Sequence, residues 1–264
     1  MNIELHDFVI KDTSLICPMC QTPFATPLLM AMPPIKPQTV IEADLHRVLP
    51  DARIRGTLIA ICPACIYTWW ATAFVPHFFI PDLLVPSPEI EQPKKFAHAV
   101  LTGRKHGVHA LDRALLAMNG LWCARETYTG AGPDKLEQYK ADNERWLTLS
   151  VQELEEALND ETWTGNRPRY NYIMGELLRQ LGDFHKAVKY FDMVDRRCML
   201  PKQLVRHQRQ AAINGNSEPT TLPPFIVEQI FLPKPLIDRE PEPEPEETPT
   251  VAQFPQTQAI NAVS

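Results

Sequence analysis

The chain has 264 residues, a formal net charge of -6, 44% hydrophobic residues, ten Gly, 26 Pro and six Cys. It contains no G-x-G-x-x-G or G-x-x-x-x-G-K-[ST] run, which argues against nucleotide chemistry, and Gly130-Ala131-Gly132 is interrupted by Pro133. Residues 1–88 hold 5 basic and 7 acidic side chains, 89–214 hold 19 and 17, and 215–264 hold 2 and 8, so no zone has the positive field of a nucleic-acid binder.

The first eleven residues lack the basic and long apolar stretches of a secretory signal, which points to the cytoplasm. In a reducing compartment, paired cysteines indicate metal or redox chemistry more readily than a disulfide framework. Residues 1–88 read as a small β domain around such a site. Cys17-Pro18-Met19-Cys20 and Cys62-Pro63-Ala64-Cys65 are two C-P-x-C knuckles separated by 41 residues. Each places two thiolates on a tight turn, and two turns together offer a tetrahedral sulfur site with structural zinc as its occupant and iron as the alternative. A thioredoxin-like redox motif would need a βαβ pattern around one pair, which these proline-rich surroundings do not supply. The position after each second cysteine usually wants glycine for a left-handed backbone. Gln21 and Ile66 stand there, so the second turn is expected to be distorted or of another type.

Residues 58–80 run 23 positions without a formal charge. Pro63, Pro76 and the thiols argue for strand, knuckle and strand over a membrane span. Tyr67, Trp69, Trp70, Phe74, Phe78 and Phe79 then form a small core and a seam with the rest. The alternative for residues 74–86 is an exposed patch that binds a partner.

Residues 89–214 read as an all-α domain, with helices near 94–103, 107–128, 134–159, 168–181, 184–197 and 201–213. Prolines at 133, 168 and 201 mark starts, and Gly182-Asp183 marks a stop. Ile173, Met174, Leu177 and Leu178 form one apolar stripe. Ala187, Val188 and Phe191 form another that must face it. His106 and His109 read as a solvated helix start, Glu153 to Glu161 as a solvated acidic face, and Cys123 and Cys198 as buried inert thiols. The basic group Arg196, Arg197, Lys202, Arg206, His207 and Arg209 suits an acidic partner or the acidic tail, with a solvated face as the plain reading. Residues 215–264 hold ten prolines and read as a disordered acidic tail, interrupted by an apolar island at 225–232 that docks on its own body or on a partner.

Gly175, Gly182-Asp183-Phe184, Ala187 and Phe191 match one tetratricopeptide repeat. These residues, the two knuckles and Leu121-Trp122-Cys123-Ala124-Arg125-Glu126 together resemble an uncharacterised bacterial family, the domain of unknown function 2225 family. The resemblance implies an α+β architecture, a zinc-ribbon-like head on a tetratricopeptide-like body, with Cys17, Cys20, Cys62 and Cys65 as metal ligands. It implies no reaction. With no catalytic constellation in view, the expected function is non-enzymatic: a protein-interaction or assembly factor with a protein partner, no nucleic acid and no transmembrane segment. A thiolate-based redox or metal-dependent enzyme is the rival.

Overall fold

The two knuckles close two hairpins of the same construction. Strand β1 (Val9–Ile16) pairs antiparallel with β2 (Pro23–Ala31), with Ile16 opposite Pro23. Strand β3 (Ile59–Ile61) pairs antiparallel with β4 (Thr68–Trp70), with Ile61 opposite Thr68. A short β5 (Val75–Pro76) adds to the end of β1, giving the sheet order β2-β1-β5. The computed structural model describes residues 7–78 and 80–232, so Phe79 and most of the predicted tail lie outside the described residues. One segment links the hairpins: Ala25 and residues 85 and 87 exchange backbone hydrogen bonds, and the Ser87 hydroxyl donates to the Ile61 carbonyl at 2.8 Å.

A short α1 (Ala52–Gly56), capped by Asp51, precedes β3. The rest is helical: α2 (Gln92–Lys105), α3 (Ala110–Tyr128), α4 (Leu136–Asn159), α5 (Arg167–Leu181), α6 (Phe184–Asp192), α7 (Lys202–Ile213) and α8 (Pro224–Phe231). The starts follow the local chemistry. Asn166 and Asp183 accept backbone N–H groups as N-caps, and Gly182 ends α5 at φ +87°. Helix α6 stops at Asp192, short of the expected 197. Asp195 takes the Arg197 amide at 2.8 Å and starts a separate 3-10 turn, so side-chain capping defeats helix continuation there.

The apolar stripes of α5 and α6 meet as their spacing requires. A Cβ added to Gly175 would lie 2.8 Å from the Phe191 ring, so only glycine lets the helices approach this closely. Phe96, Leu121, Trp146, Leu154, Leu177 and Phe191 belong to one continuous core that also takes in Ile41, Ala43 and Ile59. The change of composition near residue 88 therefore separates strands from helices without interrupting their packing, and Trp70 sits edge-on to Phe96.

The segment after α7, expected to be extended, is built into the fold as far as residue 232. The Ala43 amide donates to the Thr220 carbonyl and the Leu222 amide to the Ile41 carbonyl, both at 2.7 Å. Helix α8, the predicted apolar island, then buries Ile226 and Val227 in the body. Of the aromatic seam, Phe74 is buried against Phe24 and Tyr67, whereas Phe78 is fully exposed. The reading of residue 78 as core is thus corrected: it follows the two-residue β5, and no strand among the described residues covers it. None of the described helices is long and apolar enough to cross a membrane.

Candidate metal centre

The hairpin tips bring Cys17, Cys20, Cys62 and Cys65 together, with all four Sγ atoms within 4.8 Å of one another. Cys17 and Cys65 Sγ are 3.6 Å apart, and Cys20 and Cys62 Sγ 3.5 Å. Zn–S bonds of about 2.3 Å in a tetrahedron give sulfur edges of about 3.8 Å, whereas a disulfide needs about 2.0 Å. The spacing is that of ligands around an ion. Each knuckle contributes one buried thiol, Cys17 or Cys62, and one exposed thiol, Cys20 or Cys65.

The turns are near-copies. The Gln21 amide donates to the Cys17 carbonyl and the Ile66 amide to the Cys62 carbonyl, both at 3.0 Å. The Cys17 amide donates to Thr22 O and the Cys62 amide to Tyr67 O. Gln21 (φ 61°) and Ile66 (φ 59°) both occupy the left-handed region. The expectation that Ile66 would change the turn type is therefore corrected: the hairpin geometry overrides the residue's preference and holds a β-branched side chain at a cost of about 1–2 kcal/mol.

The electrostatics are uneven across the site. Burial pushes the Cys17 thiol up to about 12, although the amides of Cys20 and Met19 work against it. The Thr22 hydroxyl and amide draw Cys20 down to about 6. Burial raises Cys65, with the Tyr67 amide opposing. Amides aimed at sulfur suit thiolates, and a bound divalent cation would deprotonate the buried thiols outright. Four sulfur donors fill a tetrahedral shell, so the residues fit a closed, structural ion.

A second group of donors, Glu42, Asp44 and His46, lies equally close together but does something else. His46 Nδ1 faces Glu42 Oε2 at 2.9 Å, and Nε2 faces Glu126 Oε1 at 3.0 Å. Arg125 Nη1 sits 2.9 Å from Glu42 and 3.0 Å from Asp44, where a metal would have to bind. Glu126 also accepts the Leu49 amide and two Arg55 N–H groups, and Trp122 stacks on His46 at 5.2 Å. Burial works to raise both the Asp44 and Glu126 carboxyls, yet Arg125 and His46 around Asp44, and His46 and Arg55 around Glu126, hold them below the usual range. This is a buried ion network. The sequence reading missed it, because a tight turn brings its members together: the Leu45 amide donates to the Glu42 carbonyl and the Glu42 amide to the His46 carbonyl, with Leu45 at φ 67°, while Arg125-Glu126 reaches the turn from α3.

The remaining candidates fall into place individually. His109 caps α3 by accepting the Leu111 amide and faces Asp160 at 3.0 Å, while His106 packs edge-on to Tyr67. Cys123 and Cys198 are buried, as expected, and burial drives the Cys123 thiol far up. Glu153 is a correction to the solvated acidic face: it is fully buried, bonded by Arg104 Nε at 2.6 Å and Arg113 Nε at 2.7 Å. Charge spacing on one helix did not disclose partners contributed by two others. No protein-family model, no curated protein and no solved structure matches this chain.

Proposed function

We propose that this chain is a non-enzymatic protein-interaction or assembly factor whose head is held by a structural zinc ion on Cys17, Cys20, Cys62 and Cys65. The observation that carries the reading is the four-sulfur cluster at the joined hairpin tips: it leaves no ligand position for a substrate, so its chemistry is scaffolding. After β5, Phe78, Ile80, Leu83 and Val85 follow one another with large exposed apolar surfaces, a composition suited to a protein contact. The exposed His109–Asp160 pair gives an enzyme reading little support. Its cleft is lined by Arg104, Val108, Arg113 and Glu156, with no thiol, and the nearby Thr162 hydroxyl donates to Asp160 at 2.7 Å. The resemblance in motif order to the domain of unknown function 2225 family is in keeping with the two-part architecture and adds no reaction.

The rival reading places iron in the same thiolates for electron transfer, favoured by the exposure of Cys20 and Cys65 at the surface. Elemental analysis of the purified chain separates the two: about one zinc per chain and no visible absorption is expected, and a red, iron-loaded protein overturns the zinc assignment. The interaction reading is tested by affinity capture and mass-spectrometric identification with wild type and Phe78→Asp. A specific partner lost in the variant is expected; turnover of a redox substrate that depends on the thiols would overturn the reading.

A further inference from the structure

Between the end of α6 and the first turns of α7 lies a cleft of about 380 Å³, within the range of ligand-binding clefts. Val194, Leu200 and Val205 give it apolar walls, and Arg196, Lys202 and Arg206 stand around it. These cations have no ion-pair partner among the described residues, whereas the neighbouring ones do: Arg197 pairs with Asp195 at 2.6 Å and Arg209 with Asp192 at 2.7 Å. Asp195 is the only carboxylate among the described residues lining the cleft, and both its oxygens are engaged by Arg197. Residues 192–213 hold five Lys/Arg and two Asp, a local net of +3 in a chain whose net is -6. The first turn of α7 adds no acidic side chain and has no side-chain cap, so its amide end reinforces the same field.

Arg196, Lys202 and Arg206 are exposed and, unlike Arg197 and Arg209 beside them, have no ion-pair partner among the described residues, so three free cations rim one apolar cleft. We propose that this cleft docks an acidic segment of a protein partner, with carboxylates meeting Arg196, Lys202 and Arg206 and an apolar side chain seated against Val194, Leu200 and Val205. The proposal rests on the interaction reading above and names the partner's chemistry. The apolar walls distinguish this ligand from a free anion, and the small number of unpaired cations distinguishes it from a nucleic acid, which needs a longer positive track.

The test is fluorescence anisotropy on the full chain with a labelled peptide of about twelve residues, Glu and Leu in equal number, beside Glu/Ser and Lys/Leu peptides of the same length. The Glu/Leu peptide is expected to bind at least about tenfold more tightly than either control and to weaken about tenfold between about 50 and 300 mM salt. The double variant R196E/R206E, altered at two exposed positions, should lose binding by at least about tenfold with unchanged helicity, while K189E, outside the cleft, should bind as wild type does. The proposal is overturned if the Glu/Leu peptide does not bind, binds R196E/R206E equally well, or is outcompeted by an oligouridylate of the same length. A chain that captures a partner through Phe78 yet ignores the peptide sinks this proposal alone. One that binds the peptide and captures no partner sinks the Phe78 reading alone.

Discussion

The metal head and the helical body stay folded by different means. The core that surrounds the sulfurs is small: Leu15, Phe24, Ala60, Ala71 and Phe74, with Cys17 and Cys62 themselves part of it. The body buries one large apolar cluster and ties its helices with carboxylates wholly out of solvent, Glu126 to Arg55 and Glu153 to Arg104 and Arg113, while Glu176 pairs with Arg179 inside α5. With so few apolar residues around the sulfurs, the proposed ion would supply much of what orders the hairpin tips. The body's dependence is spread over many contacts, and losing one buried charge leaves its partner stranded.

The largest effect should come from removing the ion. Cys62→Ser, or a strong chelator, should release the metal and unfold the hairpins while the helical signal at 222 nm largely remains, because binding energy of a structural site, about 10 kcal/mol or more, is folding energy for the head. Metal content by elemental analysis and circular dichroism read the two halves separately. Full metal retention in the variant would remove Cys62 from the ligand set.

Breaking the body is predicted to cost less and to leave the ion in place. Glu126→Ala strands Arg55, His46 and the Leu49 amide in the interior and should destabilise by about 3–5 kcal/mol. Phe191→Ala opens a cavity against Gly175 and should cost a similar 3–5 kcal/mol or so. Denaturant melts at constant metal content check both. If either variant lost its metal first, head and body would be one cooperative unit and the contrast drawn above would fail.

Acid should reveal the same network. Glu126 and Asp44 have carboxyls held below their ordinary values in the folded chain, so their contribution to stability is present above the unfolded values and is lost as pH falls through the folded ones. The body's stability should therefore drop below about pH 4.5, and Glu126→Gln should lie lower at neutral pH but fall less steeply on acidification. Parallel curves for variant and wild type would mean that Glu126 does not titrate with folding.

Much of this contrast was legible in the sequence, and what was not has a physical pattern. The cysteine ligands announce themselves by local spacing, and α5 and α6 by periodicity plus Gly182-Asp183, because each signal is contained in a few consecutive residues. The burial of Glu126 and Glu153 is decided by partners 71 and 40 residues away in the chain, which no local pattern encodes. The place of α8 is likewise fixed from a distance, through the pairing of residues 220–222 with 41–43. Ile66 marks the reverse case, a local preference correctly identified and then overruled.

That overruling gives the smallest and most local test. Ile66 sits at φ 59° in a turn whose twin carries Gln21 at φ 61°, and both are strained in a way glycine is not. Because Ile66 is about half exposed, at 48%, truncating it gives up only part of its burial. Glycine also raises the entropy of the unfolded chain, which takes back part of the relief. Relief of about 1–2 kcal/mol should still win, leaving Ile66→Gly more stable by roughly 0.5–1 kcal/mol. Gln21→Gly should gain less, since Gln21 is not β-branched and its side-chain amide donates to the Pro18 carbonyl at 3.3 Å. The gain should appear as slower metal loss to a chelator, with the body's melting unchanged. Faster loss from Ile66→Gly would mean that the side chain shields the sulfurs more than its backbone strains the turn.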